Sequence, residues 1–139
     1  FISLKCLLEK HLNIFMKTNL VKPKVSIILV NYNNSKYLNR CLHSLYQQTF
    51  KNFEIIFIDD SSTDNSLKIA NQIINKYNFK KYNITVNKKK TSFGSFNQMN
   101  CILKGLKLSK GEIISFLDSD DFFHKDKIKN IIELNTLSP

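Results

Sequence analysis

The stretch "FEIIFIDDSSTDNS", residues 53–66, decides how the fold is read. Residues 53–58 are apolar apart from Glu54, too short for a helix, and do not alternate with polar residues. They read as a strand buried on both faces. The run stops at Asp59 and Asp60, and turn-forming and helix-capping residues follow. The segment "STDNSLKIANQIINKY", 62–77, then reads as a helix with Leu67, Ala70, Ile73 and Ile74 turned inward.

The same grammar repeats on both sides. "KVSIILV", 24–30, is a strand after Pro23, and "SKYLNRCLHSLYQQ", 35–48, a helix with Leu38, Cys41, Leu42 and Leu45 on one face and Ser35 as N-cap. "YNITV", 82–86, is a third strand. "FNQMNCILKGLKLS", 96–109, is a helix, with Gly111 just past its end as a stop. "EIISFLD", 112–118, is a fourth strand and "KDKIKNIIELNTL", 125–137, a last helix; Lys88–Lys90 and the following Thr-Ser-Phe-Gly form a loop. Buried strands alternating with helices predict an α/β fold, a parallel sheet with helices on both faces and right-handed crossovers. The expected strand order is 3-2-1-4, which would bring Asn31, Asp60 and Asp118 to one edge. Residues 24–139 form this unit. Residues 1–23 read as an N-terminal extension, helical in part; "MKTNLVKPKVSIILV" from Met16 reads like a gene start.

The 139 residues suffice for one domain with a real core, and no apolar run approaches the ~18 residues that span a bilayer. Net charge is +10, from 20 lysines and one arginine. Nucleic acid is not the expected partner: the lysines are scattered, the composition is rich in Asn, and specific base contacts favour Arg. Such charge also attracts anionic small ligands or an anionic membrane surface, which allows peripheral association. Cys6, Cys41 and Cys101 show no metal-binding spacing and read as reduced, buried thiols of a cytoplasmic protein. His11, His43 and His124 are isolated and read as structural or surface residues.

All seven aspartates fall in two clusters, Asp59, Asp60 and Asp64, then Asp118, Asp120, Asp121 and Asp126. Each cluster begins where a strand ends. In open α/β sheets ligands bind outside those carboxyl ends. Asp64 and Asp126 read as caps or turn formers, whereas Asp60, Asp118, Asp120 and Asp121 read as functional. Their mutual repulsion would be relieved by a hard divalent cation, Mg²⁺ or Mn²⁺. The first strand ends in "NYNNS", 31–35, without the glycine patterns of dinucleotide or P-loop sites. Tyr32 there offers a flat face for stacking on a base, or for packing.

Together, "VSIILVNYNNSKYLNRCLHSLYQQTFKNFEIIFIDDSSTDNS" and "GEIISFLDSDD" resemble the N-terminal half of a family 2 glycosyltransferase with the Rossmann-like GT-A fold, over residues 24 to about 134. The resemblance implies an enzyme that transfers a sugar from a nucleotide-sugar donor, a UDP-sugar, to a glycan or lipid-linked acceptor in cell-surface glycan synthesis, with inversion. It implies a location in the cytoplasm, at the inner face of the membrane. It further implies that Asn31 and Tyr32 line the base, with Asn33, Asp59 and Asp60 also on the nucleotide-sugar and Asp60 accepting from the base imide. The D-x-D element would place Asp118 and Ser119 on the donor, and Asp120 and Asp121 on the metal.

Ser61 stands where the family usually has Gly, and Cys101, Ile102 and Leu103 replace its usual residues before Gly105. The family's general base lies beyond D-x-D, so no catalytic residue is assigned within this chain, and a truncated, inactive nucleotide-binding fragment is the alternative. A haloacid dehalogenase-type phosphatase also uses D-x-D at a strand end, but on its first strand and followed by Thr or Val, not Phe122.

Overall fold

The computed structural model describes residues 22–88 and 94–137. The expected N-terminal helix, Cys6, His11 and most of the 88–93 loop lie outside the described residues. The elements run β1 (Val25–Asn31), α1 (Ser35–Tyr46), β2 (Phe53–Asp59), α2 (Ser66–Tyr77), β3 (Tyr82–Val86), α3 (Gly94–Leu108), β4 (Ile113–Asp118) and α4 (Lys127–Leu137). The sheet has the order β3-β2-β1-β4 and every pairing is parallel, as the alternation predicts. Asn31 lies opposite Asp59, and Val30 opposite Asp118. The acid-bearing strand ends therefore coincide at one edge.

Successive strand residues point to opposite faces. Val25, Ile27, Leu29, Ile55 and Phe57 face the larger core, where α1 contributes Leu38, Cys41, Leu42 and Leu45, α2 contributes Ala70, Ile73 and Ile74, and α4 contributes Ile128. Each fully buried Leu or Ile of this set contributes roughly 1.5–3 kcal/mol. Ile56 and Ile58 face the other side and meet Cys101 of α3. There α3 comes so close to β1 that a Cβ on Gly105 would sit 2.6 Å from Cγ2 of Ile28. The outer side of α3 leaves Phe96, Met99, Leu103 and Leu106 exposed.

Three local expectations change. Ser35 is the first residue of α1 and not its cap: Asn34 holds the cap position without a side-chain bond, and the Ser35 N–H donates to Oδ2 of Asp64 at 3.0 Å. The second helix starts at Ser66, not Ser62, because the intervening residues form a turn held by Asp59 and Asn33. Gly111 does not adopt a left-handed stop, since no glycine among the described residues has positive φ. It is needed for close approach: a Cβ there would lie 2.5 Å from the backbone N of Ser26. No helix among the described residues is long and apolar enough to cross a membrane.

Candidate functional site

The site is built where β1, β2 and β4 end. After Asn31 the chain turns through Asn33, whose φ of 52° is left-handed, a conformation Asn tolerates. Oδ1 of Asn33 accepts from the N–H groups of Thr63 at 2.8 Å and Asp64 at 3.3 Å. Asn31 donates from Nδ2 to Oδ1 of Asp59 at 2.8 Å and to Oγ of Ser62 at 3.1 Å. The fully buried Asp59 also accepts from the Ser62 N–H at 2.8 Å and the Ser62 hydroxyl at 2.7 Å. Asn31, Asn33, Asp59 and Ser62 thus bind the two strand ends to each other.

Asp60 is left to face outward from that framework. Its N–H donates to the Asn31 carbonyl at 2.8 Å, and its Oδ1 accepts from Nδ2 of Asn87 at 3.0 Å. Ser61 follows with φ 55°, so the position where Gly was expected has the backbone that favours Gly. The Ser61 hydroxyl donates to the Asn87 carbonyl.

At the end of β4 the chain makes a tight turn, closed by the Asp121 N–H on the Asp118 carbonyl at 3.0 Å. Ser119 is buried against β1: its N–H donates to the Val30 carbonyl at 3.2 Å, and its Oγ accepts from Nδ2 of Asn34 at 2.9 Å. Arg40 supports the turn from α1, donating from Nη2 to the Asp120 carbonyl at 2.8 Å while its guanidinium lies 4.8 Å from the Phe122 ring centre. The carboxylates of Asp118 and Asp120 remain exposed.

A cavity of about 490 Å³ lies between these parts, lined by Val30, Tyr32, Asn34, Asp60, Gly94, Asn97, Gln98, Asp118, Ser119 and Asp120. Tyr32, Asp60, Asp118, Ser119 and Asp120 of the expected set therefore share one cavity. Asn31, Asn33 and Asp59 stand behind it as framework. Asp121 lies outside the lining, and its Oδ1 accepts from the Phe122 N–H at 3.0 Å. The buried thiols register the acidic edge. Cys41 is pushed up to about 12 by burial and then by the charges of Asp121 and Asp120; Cys101 is raised to about 11 by burial and then by Asp60.

Asn34, Asn87, Asn97, Gln98 and Arg40 stand outside the expected site residues. Position held the signal for two of them, since Asn34 and Asn87 follow strand ends. Asn97 and Gln98 lie near the start of α3, which opens at the same edge. Arg40 was marked by being the chain's only arginine.

Among the described residues no group of three His, Cys, Asp or Glu side chains is arranged to hold a metal. A centre built from protein ligands alone is thus not what these residues fit. Two exposed carboxylates on one cavity rim fit a different arrangement, in which Mg²⁺ or Mn²⁺ takes one or two carboxylates together with substrate phosphate oxygens.

A profile of glycosyl transferase family 2 matches residues 26–135. The chain is similar to an uncharacterized glycosyltransferase of Haemophilus influenzae, with 41% identity over 107 residues covering 77% of this chain and 40% of that one. It is 41% identical over 108 residues to the UDP-Glc:alpha-D-GlcNAc-diphosphoundecaprenol beta-1,3-glucosyltransferase WfaP of Escherichia coli, covering 78% of this chain and 39% of that one. The structure of Staphylococcus aureus TarS 1–349 in complex with UDP matches with a TM-score of 0.69 and 31% identity, over 81% of this chain and 32% of that one. The mannosyltransferase PcManGT of Pyrobaculum calidifontis, solved with GDP-Man and Mn²⁺, matches with a TM-score of 0.73 over 87% of this chain and 34% of that one; at 18% identity this is a likeness of fold. The chain spans less than half the length of each of these relatives.

Proposed function

Since the chain belongs to glycosyl transferase family 2, we propose that residues 24–139 form the donor-binding part of a transferase that uses a UDP-sugar held with Mg²⁺ or Mn²⁺. The acceptor is a glycan or a lipid-linked glycan, the product serves cell-surface glycan synthesis, and the sugar is inverted by direct displacement. The observation that carries the reading is the single cavity lined at once by Tyr32, Asp60, Asp118 and Asp120. Tyr32 presents its ring to the base, and Asp60 accepts the base N–H through the oxygen that Asn87 does not use. Asp118 binds ribose, with Ser119 beneath it fixing the turn. Asn31, Asn33 and Asp59 act through the framework that aims Tyr32 and Asp60. Asp120, aided by Asp118 or Asp121, would hold the cation, which neutralises charge on the leaving diphosphate. The phosphatase alternative falls, because the D-S-D-D segment closes the fourth strand of a glycosyltransferase-type sheet.

Calorimetry with UDP tests this. UDP should bind, Mn²⁺ should strengthen that binding, and Asp120→Asn should remove more of the metal enhancement than of the metal-free affinity. Absence of UDP binding with and without Mn²⁺ would leave the inactive-fragment alternative. An undiminished enhancement in the variant would take the cation off Asp120.

A further inference from the structure

Because all four strands are parallel, they all begin at the edge opposite the acidic cavity. Each begins just after lysine: Lys22 and Lys24 precede β1, Lys51 precedes β2, Lys80 and Lys81 precede β3, and Lys110 precedes β4. Helices α1, α2 and α3 descend to the same edge, and α2 and α3 carry Lys76 and Lys107 in their last turns. Acid barely offsets this charge among the described residues there. Glu54 is buried, accepting from the Ser26 hydroxyl at 2.6 Å and the Lys110 N–H at 2.7 Å, and Glu112 is paired with Lys24. Six of the seven aspartates lie toward the other edge; the seventh, Asp126, accepts from the Thr49 hydroxyl at 2.9 Å in the connection from α1 to β2. The domain is therefore polarised along its strands, basic where they start and acidic where they end.

The basic edge also has a shaped apolar feature. A cavity of about 300 Å³ opens between the ends of α1 and α2 and the starts of β2 and β3, lined by Tyr46, Tyr77 and Phe79 together with Lys51, Lys80 and Lys81. Tyr46 and Tyr77 stack at 4.4 Å, and Nζ of Lys51 lies 5.4 Å from the Tyr46 ring centre. Tyr46 and, on β3, Tyr82 are about half exposed. Amphipathic tyrosines among long-stemmed lysines suit the boundary between a charged headgroup layer and acyl chains. Duplex nucleic acid is the poorer match, because base readout and bidentate phosphate contacts favour arginine. The chain's one arginine, Arg40, is at the opposite edge, bonded to the Asp120 carbonyl.

We propose that this amino-terminal edge of the sheet docks on an anionic phospholipid bilayer, with the Tyr46–Tyr77 cavity receiving a lipid phosphate and its glycerol. The surface gives the expected peripheral membrane association a definite face, and it stands apart from the donor chemistry. It also sets an orientation. The acidic cavity would be held above the membrane by the length of the strands, roughly 20 Å at about 3.3 Å per residue. Within the glycosyltransferase reading, such a site suits the far end of a lipid-linked glycan, beyond the reach of a sugar in the headgroup plane.

Vesicle sedimentation with the full-length polypeptide tests the face and not merely the charge. The protein should sediment with phosphatidylcholine vesicles containing phosphatidylglycerol, not with phosphatidylcholine alone, and should be released by high salt. The double variant Lys80→Glu/Lys110→Glu should partition about tenfold less or weaker still. The matched variant Lys36→Glu/Lys68→Glu has the same net charge but changes the first turns of α1 and α2, where acidic residues suit the helix dipole. It should keep nearly parental partitioning. Equal loss in both variants, or no loss in the first, overturns the proposal. So does duplex DNA that displaces the protein from vesicles at equal phosphate concentration. UDP binding measured on the same variants should stay parental, so failure at the basic edge is separable from failure of the donor reading.

Discussion

Asn87 holds Asp60 from the side. Its Nδ2 donates to Oδ1 of Asp60 at 3.0 Å, while its own N–H donates to the Asp59 carbonyl at 2.7 Å. The residue just past β3 thereby fixes the carboxylate at the end of β2 through Oδ1, and Oδ2 is the oxygen that Asn87 does not hold. If that oxygen reads the base imide, Asp60→Ala should abolish the preference for UDP over CDP. A lost bond to a buried polar group costs roughly 1–3 kcal/mol, so discrimination of about tenfold or more should disappear. Asn87→Ala should lower the same ratio less, by freeing the carboxylate to rotate. Tyr32→Ala should weaken both nucleotides alike, since stacking tolerates any base. Calorimetry with the two nucleotides decides; an unchanged ratio in Asp60→Ala would remove Asp60 from base recognition.

Asp64 joins the starts of two helices, accepting from the Ser35 N–H at 3.0 Å and the Ser66 N–H at 2.9 Å. Desolvation works against its charge, but hydrogen bonds from Ser66 and Ser35 outweigh it and hold the carboxyl at about 2, below the ordinary 3.8. The ionised form therefore stabilises the fold above the ordinary value, and this contribution is lost as pH falls from 3.8 through about 2. Asp64→Ala should cost about 1 kcal/mol at neutral pH, as the loss of a helix cap does. Urea midpoints of parent and variant should converge near the acid end. A gap that stays constant with pH would mean that the carboxylate charge does not contribute.

Two close approaches and one left-handed residue should rank four substitutions. A Cβ at Gly111 would meet Ser26 N at 2.5 Å and Val25 C at 2.7 Å, both main-chain atoms that cannot yield without moving β1. Gly111→Ala should cost about 3 kcal/mol or more. Gly105→Ala meets the side chain of Ile28, which can shift, and it gains helix propensity, so its net change should stay within about 1 kcal/mol. At Ser61, where φ is 55°, Ser61→Gly should be more stable than Ser61→Ala by about 1 kcal/mol, because both lose the hydroxyl and only Gly relieves the left-handed strain. Thermal unfolding of the four variants would show the order, and Gly111→Ala at parental stability would refute the packing argument.

The element types, the parallel sheet, its order and the acidic strand ends were legible in the sequence, because apolar periodicity and chain direction are local properties. Continuous apolar runs such as Ile55–Ile58 can satisfy their burial only between helices, and a parallel sheet then carries every strand end to the same edge. The tertiary structure alone decided which acids look into the cavity. Asp59 and Asp60 are neighbours with the same chemistry, but the pleat and the pairing of β2 with β1 turn Asp59 into the framework of Asn31 and Ser62, and Asp60 toward Asn87 and open space. Ser35 was read as a cap because capping is usually local, whereas here the capping oxygen comes from Asp64, 29 residues away. The lysines looked scattered along the chain for the same reason. Their separation in sequence is large, and only the parallel sheet, by starting all four strands at one edge, brings them together.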